Sequence, residues 1–379
     1  MVFKILVLPG DHVGPEIIAE AVKVLNTIEK HPSVKGRRVE FRFEFEDFGG
    51  SSIDKHGVAI TEDVLKKAGA SDAVLFGSVG GPKWGAGKVR PEQGVLDLRK
   101  RLNCWANIRP CKFPSESLES QSVLKQEVVH GTDFLVLREN CGGAYFGPKV
   151  EQEDYASDTW GYSRAEVERI TRMAGYLAKK HQKTNSNGHK SKIISCDKAN
   201  VLAVSRLWRN VVEEVCENEF PDVELVHQLA DSATVQMMKN PLSLTGVVLC
   251  DNTFGDILSD EAAVITGSLG LLPSASLSAI PGTGSGAKAL YEPSHGSAPD
   301  LPRNSANPVA TILSAALMLR YSFDLDDLAD IIENAVTHVL DSKDKGGLEL
   351  RTGDIGGSAS TTQLGDAIAN TVSELLNSA

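Results

Sequence analysis

The stretch VFKILVLPGDHVGPEIIAEAVKVLNTI, residues 2–28, decides the fold. Residues 2–8 are an apolar run, which predicts a strand buried on both faces. Pro9-Gly10-Asp11-His12-Val13-Gly14 reads as a turn. Pro15 suits the first helical position, and Ile18, Ala21, Val22, Leu25 and Ile28 then form one apolar face. Strand, turn and helix in that order open an α/β sheet. No G-x-G-x-x-G follows the strand. Gly282-x-Gly284-x-Gly286 is a weak look-alike with no clear helix after it, so an ordinary Rossmann dinucleotide site is disfavoured.

The alternation continues outward. Residues 39–45 and 72–79 read as strands, with a helix between them capped by Thr61 and running to Lys67. Glycine and proline thicken over 77–91 into a long loop, and 94–102 looks helical. Residues 105–112 and 133–138 read as strands, and 142–162 as an excursion containing strand. Ser163 caps a helix over 164–180. The polar segment 184–190 reads as an exposed loop. Strands at 192–196, 223–227 and 246–251 alternate with helices at 201–217, 232–239 and 257–266. Asn307 and Pro308 start another helix, 325–339 is amphipathic, and Thr361 and Thr362 cap the last one.

A chain of 379 residues exceeds the usual reach of one hydrophobic core, so two domains are expected. With 41% hydrophobic and 23% charged residues, collagen-like, coiled-coil and disordered readings fall away. The net charge of −11 gives no pull toward nucleic acid or an anionic membrane. No apolar run reaches membrane-spanning length, and no signal peptide is visible at the start. The six cysteines form no C-x-x-C pair and read as reduced, buried thiols of a cytoplasmic protein.

Four constellations could carry chemistry. Asp256 and Asp260 are four apart, so a helix places both carboxylates on one face. Their repulsion suits an oxygen-loving divalent cation, although a solvated helix face is the plainer reading. Asp231, at the start of another helix, could complete that site. Arg99, Arg109 and Arg138 would suit a dicarboxylate, since guanidinium groups bind carboxylates bidentately. The plainer reading is three unrelated surface arginines. Tyr145 stands in GGAYFG and Lys198 in CDKAN, just after a strand; a tyrosine can act as acid and a lysine as base. Finally, YEPSHGSAPD, residues 291–300, reads as a loop wrapped around a ligand. Its Asp300 would accept from a ribose diol and repel a 2′-phosphate, and His295 could stack on adenine.

Together the segments LPGDHVGPEI, GSVGGPKW, RPEQGVLDLRK, NIRP, RENCGGAYFG, DKANVL, FGDILSDEAA, EPSHGSAPD and GGSASTTQLGDAI resemble the isocitrate/isopropylmalate family of β-decarboxylating dehydrogenases. The resemblance covers nearly the whole chain. It implies an α/β, two-domain isopropylmalate dehydrogenase-like fold with a mixed sheet. It divides the chain into an NAD-binding domain, 1–104 and 267–379, and an inserted domain, 105–266, for dimerisation, substrate and metal. Arg99, Arg109 and Arg138 would hold the malate carboxylates. Asp256 and Asp260, with Asp231 of the partner subunit, would bind Mg²⁺ or Mn²⁺ next to the substrate. Lys198 of the partner subunit would be the base and Tyr145 the acid. Glu292, His295, Gly296, Ser297, Ala298, Asp300 and Asn307 would bind NAD. The partners implied are a small-molecule substrate and a second copy of the chain, in a homodimer with shared active sites.

Substrate choice in the family rests on the segment before Arg99. Val95 and Leu96 offer apolar contact to an isopropyl group, and Glu92 would repel a third carboxylate. The expected reaction is NAD-dependent oxidative decarboxylation of 3-isopropylmalate in leucine biosynthesis. The same chemistry on tartrate, homoisocitrate or isocitrate is the alternative. A non-catalytic regulatory subunit would have lost Tyr145, Lys198 or an aspartate. A metal-dependent hydrolase would leave the arginines and the 291–300 loop unexplained. Three departures from the family pattern stand out: His12 replaces a glycine, Val95 replaces a frequent leucine, and 184–190 looks inserted. Cys141 and Cys196, beside motif residues, are expected within reach of thiol reagents.

Overall fold

The computed structural model describes residues 1–378 except 86, 185–190, 284 and 285. Most of the expected insertion, from residue 185 onward, and Gly284 of the glycine look-alike therefore lie outside the described residues. The chain divides into two compact units. One comprises Met1–Asn103, Phe113–Gln121 and Thr266–Ala379; the other comprises Cys104–Lys112 and Ser122–Ile265.

The first unit holds five strands in the order Glu40–Phe45, Val2–Gly10, Ala73–Ser78, Ala289–Pro293, Pro273–Leu277. The first four run parallel, and Pro273–Leu277 pairs antiparallel with Ala289–Pro293. Pro15 lies in the first turn of the Gly14–Lys30 helix, where a missing N–H costs nothing. This helix buries Ile17, Ile18, Ala21, Val24, Leu25 and Ile28; Val22 is only half-buried. The Val309–Tyr321 helix is buried from Val309 through Arg320, as an all-round apolar helix must be.

The second unit holds strands in the order Ala106–Lys112, Asp133–Glu139, Gly246–Cys250, Lys192–Asp197, Glu224–Leu229. The first pair is antiparallel and the rest parallel, so this sheet too is mixed. The 142–162 excursion contains a two-stranded ribbon, Lys149–Glu151 with Ala156–Asp158. Ser163 does cap the long Arg164–Thr184 helix, through a reciprocal box in which Glu166 accepts from the Ser163 N–H at 2.7 Å.

Several expectations change. The helix bearing Asp256 runs Asn252–Ile265, five residues earlier than its apolar period indicated. Its start is set by Asp251, whose Oδ1 accepts from Phe254 N at 2.8 Å. Tyr291, Glu292 and Pro293 are not loop; they end a buried strand. The cap of the final helix is Ser360 with Gln363, each accepting from the other's N–H, while the hydroxyls of Thr361 and Thr362 bond Ala306 O and Asn304 Oδ1. The strand Pro273–Leu277 was not anticipated, because Pro-Ser-Ala-Ser-Leu has little β-propensity of its own. All six cysteines are free, and Cys196 is buried in its strand, so thiol reagents do not reach it as expected. Among the described residues no helix is long and apolar enough to cross a membrane.

Candidate active site

In the second unit, five of the anticipated residues come together. Arg138 is near the end of the Asp133–Glu139 strand, in register with Asn107 of one neighbour strand and Cys250 of the other. Arg109 lies on the antiparallel neighbour. Both arginines reach the Asn252–Ile265 helix. Arg138 Nη1 meets Asp256 Oδ1 at 2.5 Å, and Arg109 Nη1 meets Asp260 Oδ1 at 3.0 Å and Ser259 Oγ at 2.9 Å. The repulsion between two acids one turn apart is thus met by two arginines of the same unit.

Tyr145 closes the group. Its hydroxyl donates to Asp256 Oδ2 at 2.9 Å, and the Arg138 guanidinium lies 5.8 Å from its ring centroid. Burial and the neighbouring Asp256 carboxylate raise the Tyr145 pKa above the ordinary phenol value. Its proton is therefore held at neutral pH, as a proton donor requires. The side chain remains 45% exposed, open to a reactant.

Lys198 and Asp231 pair with each other instead, at 2.6 Å. Lys198 follows the Lys192–Asp197 strand, and Asp231 sits in the first turn of the Ala230–Lys239 helix. The lysine's hydrogen bond lowers the Asp231 pKa.

The first unit carries the remaining candidates. Glu92, Val95, Leu96 and Arg99 form one stripe of the Pro91–Leu102 helix, at i, i+3, i+4 and i+7. Glu92 and Leu96 are exposed. Arg99 Nη2 meets the buried Glu292 Oε1 at 2.6 Å, so an expected substrate ligand and an expected cofactor ligand hold each other. Ser297 Oγ donates to Gly80 O at 2.9 Å, and Val13 N donates to Ser297 O at 3.3 Å. Ala298, at φ +44°, packs on Val13, Ile17 and Ala306. The Asn307 amide is oriented by Asp354, which accepts from Nδ2 at 3.0 Å, and by Val309 N, which donates to Oδ1 at 3.1 Å. Burial lowers the His295 pKa, which keeps the imidazole neutral and aromatic. Asp300 is exposed.

The donor chemistry fits both groups that the sequence suggests. Asp256 and Asp260 offer hard carboxylate oxygens in the number Mg²⁺ usually takes from protein, leaving room for substrate and water. For NAD, a Cβ added at Gly296 would meet nothing within 4 Å, and no positive φ requires glycine there. Its missing side chain leaves the loop surface open to a ligand's close approach.

Sequence reasoning passed over four residues. Asn252 is buried and bonds Arg138 Nε at 2.9 Å. Buried Glu139 pairs with Arg169 at 2.8 Å, and burial pushes its pKa up to about 7. Asp11 accepts from Gly50 N, Ser51 N and Gly80 N at 2.8–3.0 Å, tying the first turn to two other loops. Asp354 orients Asn307. The acid beside an amide ahead of the Asp256 helix was a readable cap signal; the other three residues carry none.

Solved structures similar to this chain are dehydrogenases of the decarboxylating class. A β-decarboxylating dehydrogenase from Thermococcus kodakarensis is 34% identical, with a TM-score of 0.77 over 99% of this chain and 97% of that one. An isocitrate dehydrogenase from Methylococcus capsulatus is 29% identical, with a TM-score of 0.80 over 98% and 99%. The isocitrate/isopropylmalate dehydrogenase family model matches residues 4–368, and the chain belongs to that family. Curated relatives named 3-isopropylmalate dehydrogenase include those of Kluyveromyces marxianus, 55% identical over 98% of this chain and 99% of that protein, and Hapsidospora chrysogena, 52% identical over 99% and 98%.

Proposed function

We propose that this enzyme oxidises and decarboxylates (2R,3S)-3-isopropylmalate to 4-methyl-2-oxopentanoate and CO₂, using NAD⁺, in leucine biosynthesis. The observation that carries the reading is the grouping of Arg109, Arg138, Tyr145, Asp256 and Asp260 in one unit. The names of the relatives direct it to this substrate.

Arg99, Arg109 and Arg138 hold the two carboxylates, exchanging their present acid partners for substrate oxygens. Asp256 and Asp260, with Asp231 of the partner subunit, hold Mg²⁺ or Mn²⁺. When bound, the cation supplies Lewis acidity at the C2 oxygen and NAD⁺ supplies a hydride acceptor. Lys198 of the partner subunit takes the C2 hydroxyl proton as the C2 hydrogen leaves as hydride, making the 2-oxo acid. The bond from C3 to its carboxylate then breaks, and its electron pair becomes the C2–C3 double bond of the enol. Tyr145 donates its phenolic proton to C3, giving the product.

Glu292, His295, Gly296, Ser297, Ala298, Asp300 and Asn307 receive NAD. His295 lies against adenine, and Asp300 accepts from the ribose diol. The unit of residues 1–104 and 267–379 is the NAD-binding domain, and 105–266 is the dimerisation, substrate and metal domain. The stripe Glu92, Val95, Leu96 and Arg99 favours an isopropyl group over a third carboxylate.

A homodimer follows from the separation of Lys198 and Asp231 into their own pair. It is supported by apolar side chains left exposed on the second unit: Val201, Val235, Ile257 and Val264. Six free thiols suit a cytoplasmic location.

The test is NADH formation with 3-isopropylmalate, isocitrate, homoisocitrate and tartrate, with and without EDTA. Expected is a kcat/KM for 3-isopropylmalate at least about a hundredfold above the others, and its loss on chelation. Comparable values for isocitrate would overturn the substrate assignment.

A further inference from the structure

We propose that Asn252 is a positioning residue that sets the substrate-holding Arg138 and the proton-donating Tyr145 in register, an inference resting on the roles given to those two residues above. Asn252 is 1% exposed, and its amide is divided between two segments. Oδ1 accepts from Arg138 Nε at 2.9 Å, and Nδ2 donates to the Gly142 carbonyl at 2.9 Å. Gly142 opens the turn that ends at Tyr145.

That turn is held from its other side too. A Cβ on Gly142 would lie 2.4 Å from the Tyr162 ring, and one on Gly143 would lie 2.6 Å from its hydroxyl. Gly143 also has φ +72°, which favours glycine. The same Tyr162 hydroxyl accepts from Asn252 N at 2.9 Å. The turn is therefore seated on Tyr162 and hooked by Asn252.

Asn252, Asp256 and Asp260 are spaced i, i+4, i+8 and share one stripe of their helix. Asn252 and Asp256 both touch Arg138. Asn252 holds the start of the tyrosine turn, and Asp256 accepts from the tyrosine hydroxyl. One helix stripe thereby fixes the guanidinium and the phenol relative to each other. The chemistry specifies an amide: it must accept from a guanidinium and donate to a carbonyl at once. A carboxylate there would keep the arginine and turn an acceptor against the Gly142 carbonyl, which then loses its donor.

The test is a double-mutant cycle. Asn252→Asp should leave KM for 3-isopropylmalate within about twofold and lower kcat about ten- to a hundredfold. In a Tyr145→Phe background the same change should lower kcat by less than about twofold, because the turn then positions no acid. An unchanged kcat in Asn252→Asp, or an equal loss in both backgrounds, overturns the proposal. Thermal melts establish folding. If Asn252→Asp does not fold, Asn252→Ala is run through the same cycle, with the same non-additivity in kcat expected. NMR of ring-labelled tyrosine gives a readout independent of turnover. The Tyr145 signal should move in the Asn252 variant, and an unmoved signal overturns the proposal even if 3-isopropylmalate proves not to be the substrate. A wild type inactive on that compound would instead refute the functional reading.

Discussion

Glu139 sits directly after Arg138 and is fully buried, with Arg169 as its ion-pair partner. Burial is the larger influence and carries its pKa from 4.5 to about 7. Between those values the folded protein binds a proton that the unfolded chain releases, so stability falls as pH rises through that window. Glu139→Gln removes the titration. Relative to wild type, the variant should gain on the order of 3 kcal/mol between pH 4 and pH 8 in urea unfolding. A difference that does not change with pH would refute this. Individual residues differed in how legible they were. Arg109, Arg138, Tyr145, Asp256 and Asp260 announce themselves by residue type and motif, and the structure brings them together. Asn252 and Glu139 do not, because their importance lies in which buried group each faces.

At the scale of elements, periodicity was informative wherever a helix or strand shows its apolar face in one dimension. It failed at Pro273–Leu277, whose small residues are buried by their neighbours and not by their own hydrophobicity. It also started the Asp256 helix late, because the polar residues of the first turns are placed by a cap and by Arg138. The opening strand, turn and helix were read correctly, and glycines explain how closely they fit the third strand of the chain. A Cβ at Gly77 would lie 2.3 Å from Pro9 O and 2.9 Å from Gly14 Cα, both backbone atoms that cannot turn aside. Gly77→Ala should therefore cost at least about 1–3 kcal/mol in denaturant unfolding. Gly69, late in the Glu62–Ala70 helix, meets nothing within 4 Å, so Gly69→Ala should be neutral or stabilising by up to about 1 kcal/mol. Equal effects at the two positions would refute the packing argument.

For the whole molecule, the division of the proposed machinery into a five-residue group and a separate Lys198–Asp231 pair has a countable consequence. Lys198→Met and Asp256→Asn should each be inactive yet folded; the first breaks only a partly exposed ion pair, worth about 1 kcal/mol or less. Mixed and reassembled, half of the dimers carry one variant of each kind, with one intact site in each. Activity should then recover to about a quarter of wild type. No recovery after verified subunit exchange would place each site within one chain. A last consequence follows from the pairing of Arg109 with Asp260 and Arg138 with Asp256. Two positive and two negative charges cancel, so the empty site presents little net field to a dianion or a cation arriving alone. Each ligand must separate the same pairs, and whichever binds first leaves the other's partners released. Linkage makes this reciprocal: Mg²⁺ should tighten 3-isopropylmalate, and 3-isopropylmalate should tighten Mg²⁺, by one common factor of about ten or more. Calorimetric titration in both orders measures that factor, and independent affinities would show that the acids and arginines do not compete.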